Sequence, residues 1–194
     1  MIAYRLFIAV RPSERVKDDI LKAQAELRTA VPEGAVTWTR REQLHVTLKF
    51  LGNVDAGRID DLIRAAEHAC DAFSPLALAA AGIGMFPNAR RPRVIWTSVL
   101  ERRDRLSALQ QAVERAAGPF TREPAERRFT GHVTLGRCKA IDRRGAAALG
   151  ALAQGMENRS FGEWIADSIE IVRSEPGSGG SRYTTLAAAG LTAR

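Results

Sequence analysis

The tetrapeptide His-Val-Thr-Leu occurs twice, in LHVTLKF at residues 44–50 and in GHVTLGR at residues 131–137, in a chain with three histidines. A chance match of the three residues after a given His has a frequency on the order of 10⁻³ or less. The chain must therefore build the same local structure twice. Both segments are β-rich, and in a strand successive side chains point to opposite faces. His45 and Thr47 then share one face, as do His132 and Thr134. Val46, Leu48, Val133 and Leu135 take the other face and anchor each strand in a core. Two such strands turned towards one another bring two imidazoles and two hydroxyls to a common cleft.

The surrounding pattern alternates strands and helices. Residues 3–10 read as a first strand, and Ser13 opens a helix to about Arg28 with Val16, Ile20, Leu21 and Leu27 on one side. The first HVTL strand covers 44–51 and is closed by Gly52-Asn53, after which Asp55 caps a helix carrying Ile59, Leu62, Ile63 and Ala66. Strands follow at 76–83 and 93–100, joined through the turn FPNARRP. The second half runs through a helix at 103–117, the second HVTL strand at 130–136, a helix at 142–154 starting at Asp142, and strands at 163–173 and 182–189. The linker SEPGSGGSR between the last two is the most flexible in composition. Each half holds one HVTL strand followed by a helix, a weak internal duplication that points to an α+β fold with largely antiparallel sheets.

The formal net charge of +7 favours acidic partners, nucleic acid above all, although Arg-rich composition also yields plain solvated surface. The opening MIAYRLFIAV lacks the features of a signal peptide, and no apolar run reaches 18 residues, so no membrane association is expected. Cys70 and Cys138 lack CxxC spacing and read as reduced thiols of a cytoplasmic protein.

Two imidazoles and two hydroxyls suit the hydrolysis or transfer of a phosphodiester. A neutral imidazole can accept a proton from an attacking water, and a protonated one can give a proton to the departing oxygen. The Thr hydroxyls can donate to the non-bridging phosphate oxygens. Neither motif has a carboxylate, Cys or further His at ligand spacing, so no metal or other cofactor is expected. A single HVTL would read as an ordinary strand; the functional reading rests on the pair. His68 has no such partner motif and reads as a structural or surface residue.

LHVTLKFLG and HVTLGR resemble the two signature motifs of the 2H phosphoesterase superfamily, and more specifically those of the RNA 2′,3′-cyclic phosphodiesterases, once named 2′-5′ RNA ligases. RLFIAV, GIGMFPNARRPRVIWTSV at 82–99 and IEIVRSEPGSGGSRYTTL at 169–186 are similar to further family segments, in the same order. The resemblance implies one bilobal domain over residues 1–194, its two pseudo-twofold-related lobes set around a central cleft with outer helices. It implies metal-independent opening of a 2′,3′-cyclic phosphate to a 2′-phosphate; a monomer is expected. His132 matches the proton acceptor that activates water, His45 the proton donor to the leaving O3′, and Thr47 and Thr134 the phosphate contacts. Arg137 matches a phosphate-holding arginine, yet strand parity puts it opposite His132 unless the strand bends near Gly136. Gly131 stands where relatives often have Pro, which predicts a looser approach to the strand.

Trp38, Phe50 and Phe86 are candidates to stack a base, and Arg90, Arg91 and Arg93 to meet backbone phosphates. Two other activities remain open on the sequence. RNA end joining opens the same cyclic phosphate with a 5′-hydroxyl in place of water, gives a 2′-5′ linkage and uses the same residues. A non-catalytic RNA-binding protein keeps a basic cleft but has no need of two imidazoles.

Overall fold

The computed structural model describes residues 2–125, 128–177 and 180–193. Its elements are β1 (Ala3–Val10), α1 (Glu14–Arg28), β2 (Val36–Trp38), β3 (Val46–Asp55), α2 (Ile59–Cys70), β4 (Leu76–Phe86), β5 (Val94–Leu100), α3 (Arg105–Ala117), β6 (His132–Cys138), α4 (Arg143–Gly155), β7 (Ser160–Ala166), β8 (Ser168–Glu175) and β9 (Arg182–Gly190). Ser13 and Asp142 cap α1 and α4 by accepting from the amides of Val16 and Gly145. In α1 the buried Val16, Ile20, Ala23 and Leu27 recur at helical spacing and form its inner stripe.

All strand pairs are antiparallel, in the order β7-β4-β5-β6-β3-β1-β8-β9, with β2 beside β6. The two halves of this path meet at β6 and β3, the two HVTL strands. Helices α2 and α3 pack together over the half containing β3 and β9, while α1 and α4 pack over the half containing β4 and β7. One apolar core runs continuously through both halves. Among the described residues no helix is long and apolar enough to cross a membrane.

Three differences from the sequence pattern have physical causes. β3 does not end at Gly52-Asn53 but continues to Asp55, because the ladder with β1 takes up a bulge between Leu6 and Phe7 and Gly52 adopts φ +64°. The apolar stretch 163–173 is two strands, not one. Asp167 alone separates β7 from β8, although these strands lie towards opposite ends of the sheet path. Consecutive Cα atoms are about 3.8 Å apart, so a one-residue link between distant strands requires the sheet to curl until its ends approach. The third difference is β2, too short for periodicity to reveal. In the composition-flexible linker, Ser178 and Gly179 lie outside the described residues.

Candidate active site

β3 and β6 touch at a single residue pair, Val46 opposite Val133. Both valines are buried, as are Leu48 and Leu135. Burial of each such side chain is worth about 1.5–3 kcal/mol, so a one-residue slip, which would expose all four, is strongly disfavoured. That preference fixes which face His and Thr occupy. One step further along the antiparallel register, Thr47 stands across from His132 and His45 across from Thr134. The strands then diverge, β6 pairing with β2 through Gly136, Arg137 and Cys138. The opening between them is a cleft of about 650 Å³.

His45, Thr47, His132, Thr134 and Arg137 all line this cleft, so the five residues singled out from sequence are brought together. Arg5, Arg40, Trp38, Phe50, Gln43 and Tyr183 line it too, and its described lining holds no Asp or Glu. Arg5 and Arg137, beside an Arg40 that is paired with Glu42 at 2.7 Å, give this lining a positive potential suited to an anion.

Each imidazole is held in the same way. His45 Nδ1 donates to the Gln43 carbonyl at 2.6 Å and His132 Nδ1 donates to the Thr130 carbonyl at 2.7 Å, in both cases two residues upstream. A carbonyl only accepts, so the proton of a neutral ring sits on Nδ1 and Nε2 keeps its lone pair for chemistry. Aromatic rings brace both: Phe7 and Tyr183 lie 4.7 and 5.5 Å from His45, and Phe86 and Trp96 lie 5.4 and 6.1 Å from His132, centroid to centroid. Trp96 stacks on Phe86 and covers Gly84, where a Cβ would come within 2.3 Å of the indole. Only glycine at 84 leaves room for this brace. Phe86 is thus a support for His132, whereas Trp38 and Phe50 line the cleft, Phe50 under the Arg5 guanidinium.

Arg137 reaches the cleft because β6 bulges at Leu135. Against β5 the register passes from Trp96 opposite Thr134 to Ile95 opposite Gly136, leaving Leu135 as the extra residue. That residue inverts the alternation and turns Arg137 to the side of His132. β3 does the same: against β1, Thr47 faces Ala9 and Lys49 faces Ile8, so Leu48 is extra and Phe50 joins the cleft. Both bulge carbonyls meet a buried glutamine. Gln24 of α1 donates to the carbonyls of Leu135 (2.9 Å) and Thr39 (2.7 Å), and Gln110 of α3 donates to that of Leu48 at 3.3 Å. The pseudo-twofold therefore extends to the amides that hold the bulges.

Gly131 is not loose. Its carbonyl accepts from the Val99 amide at 2.8 Å, and a Cβ there would meet the Val99 carbonyl oxygen at 2.8 Å. His68 is exposed near Asp71 at the end of α2, in keeping with a surface role. Cys70 is buried, which pushes its thiol up to about 11, and takes no part in the cleft. Arg90, Arg91 and Arg93 line a separate groove. Among the described residues no three His, Cys, Asp or Glu side chains gather as metal ligands.

Burial holds the His45 imidazole down to about 4, opposed by its bond to Gln43 and reinforced by nearby Arg11, His132 and Arg137. In the free protein His45 is therefore neutral at pH 7. A bound phosphate reverses the balance of charge and raises its affinity for a proton. Proton NMR of the His45 ring is expected to show a midpoint near pH 4 in the free protein and a higher one with saturating inorganic phosphate. An unchanged midpoint would mean that the anion does not sit beside His45.

The LigT-like phosphoesterase model matches residues 10–96 and 99–183. The chain belongs to this family, within the 2H superfamily. It is 30% identical over 182 residues to an RNA 2′,3′-cyclic phosphodiesterase of Methanothermobacter thermautotrophicus, covering 94% of this chain and 96% of that one. A Thermus thermophilus protein of the same name is 31% identical over 187 residues, covering 94% and 87%. Among solved structures, one from Thermus thermophilus superposes with a TM-score of 0.79 at 26% identity, covering 97% of this chain and 98% of that one. E. coli LigT complexed with 3′-AMP has the same fold, with a TM-score of 0.77 at 22% identity over 98% and 99% of the two chains.

Proposed function

We propose that the protein hydrolyses the 2′,3′-cyclic phosphate at the end of an RNA to a 2′-phosphate, without a metal. The observation that carries this reading is the pair of oriented imidazoles in one cleft whose described lining holds no carboxylate, each with Nε2 unshared and a Thr beside it. Similarity to phosphodiesterases of that name supports the substrate class. Water adds to phosphorus and gives its proton to His132 Nε2. The P–O3′ bond breaks, and O3′ takes the proton on His45 Nε2. Thr47, Thr134 and Arg137 donate to the non-bridging oxygens, on which charge builds. His45, neutral in the free protein, takes up a proton from solvent as the phosphodiester anion binds beside it, and the ring becomes cationic.

Both HxT strands come from one chain, so we read residues 1–194 as a single bilobal unit that acts as a monomer. The free thiols Cys70 and Cys138 suit the cytoplasm. Incubating a short RNA ending in 2′,3′-cyclic phosphate with the protein and excess EDTA tests the reading. The expected product is a 2′-phosphate formed at the same rate with or without chelator. A 3′-phosphate product, or activity lost to EDTA and restored by a divalent ion, would contradict it.

A further inference from the structure

A larger groove of about 1200 Å³ has as its first wall the β4–β5 turn and as its second the β6–α4 connection together with one face of α4. Arg90, Arg91 and Arg93 project from the first wall, and Lys139 and Arg143 from the second. All five are exposed, and none has an ion-pair partner among the described residues. The one acid in the groove's described lining, Asp142, accepts from the Gly145 amide as the α4 cap. The turn is held in place by Asn88, whose side chain accepts from the amides of Arg90 and Arg91, leaving both guanidinium groups outward.

The groove and the cleft come together only at the end of β6, on opposite faces of the sheet. Arg137, beside Thr37, faces the cleft, while Cys138, beside the buried Val36, lines the groove and donates its amide to the Arg93 carbonyl at 3.0 Å, so RNA passing from one to the other rounds the end of this strand. A 3′-terminal cyclic phosphate in the cleft leaves the chain only its 5′ direction to extend. We infer that the single-stranded RNA body upstream of the reacting end lies in this groove, its backbone phosphates against Arg90, Arg91, Lys139 and Arg143. The inference rests on the proposed reaction for its choice of RNA, but the groove binds the body and not the reacting phosphate. The cleft alone then serves a mononucleotide, and the groove adds affinity only for longer substrates.

The test is a variant with Arg90→Gln, Arg91→Gln, Lys139→Gln and Arg143→Gln, assayed on a nucleoside 2′,3′-cyclic phosphate and on a single-stranded 12-mer with the same end. The expected result is a KM for the 12-mer raised about tenfold or more, with kcat and the mononucleotide kinetics unchanged. The log–log salt dependence of 12-mer binding should also flatten by about 0.7 for each phosphate that the variant no longer neutralises. An unchanged KM for the 12-mer would overturn the inference and leave the groove to an acidic protein partner. Equal losses on both substrates would overturn it as well. Fluorescence anisotropy of an unreactive 12-mer ending in a 3′-hydroxyl separates the groove from the reaction. If the parent turns over neither substrate the proposed reaction fails. Weaker binding of the unreactive 12-mer by the variant then still upholds the groove, while equal binding rejects it.

Discussion

His132→Ala and His45→Ala each lower kcat on a cyclic-phosphate RNA end by about 10²–10⁴-fold, the range contributed by a positioned general acid or base. KM is expected to change little, because the proposed phosphate contacts, Thr47, Thr134 and Arg137, are left in place. The double variant is expected to be scarcely worse than either single one, since acid and base act on one transition state and their losses do not add. Steady-state kinetics on all three variants, with circular dichroism to confirm folding, checks this. His45 is packed against Phe7 and Tyr183, so His45→Asn is the better-filled control at that position. Additive losses would mean that the two histidines act independently, and a change confined to KM would assign them to binding.

The second large effect is expected far from the reacting atoms. Gln24→Leu removes two N–H donors from a buried amide and leaves the Thr39 carbonyl without that partner; the Leu135 carbonyl keeps the Thr39 amide at 2.9 Å. Leaving such a group unsatisfied costs about 1–3 kcal/mol. In a chain of this size that corresponds to a fall in Tm of roughly 2–4 °C per kcal/mol. The bulge at Leu135 loses one of its two hydrogen bonds, which loosens the turn that aims Arg137. Measured at about 25 °C, where the variant stays folded, kcat/KM should fall about 10–100-fold, the size expected for a misplaced positioning group. Gln110→Leu should have a smaller effect, because its bond to the Leu48 carbonyl is longer and the residue it helps aim is Phe50, not a cation. A Tm loss in Gln24→Leu with kcat/KM intact would make the glutamine a purely structural residue.

The repeated HVTL makes the centre of the site legible, because a period-two pattern in two matched strands states which side chains share a face. The caps at Ser13 and Asp142 are legible for a similarly local reason. What sequence does not show is where the alternation breaks. Arg137 has the wrong parity on an unbroken strand, and only the extra residue at Leu135 corrects it. A bulge leaves no reliable letter pattern when its φ/ψ suits a leucine. Gln24 and Gln110 are equally hidden, since a polar residue on a helix reads as solvated until the facing strand supplies a carbonyl. Phe7, Trp96 and Tyr183 look like ordinary β-strand aromatics, and their service to the histidines depends on contacts across strands. The division of 163–173 at Asp167 is invisible because apolar residues recur on both sides of it.

The central claim is that the two imidazoles divide the work, His45 protonating the leaving oxygen and His132 activating water. A nucleoside 2′,3′-cyclic phosphorothiolate with sulfur in place of O3′ tests this directly, because a thiolate leaves without needing a proton. On that substrate His45→Ala is expected to regain most of the parent rate, while His132→Ala remains as impaired as on the oxygen substrate. Rescue of His132→Ala in place of His45→Ala, or equal impairment of both, would contradict the assignment.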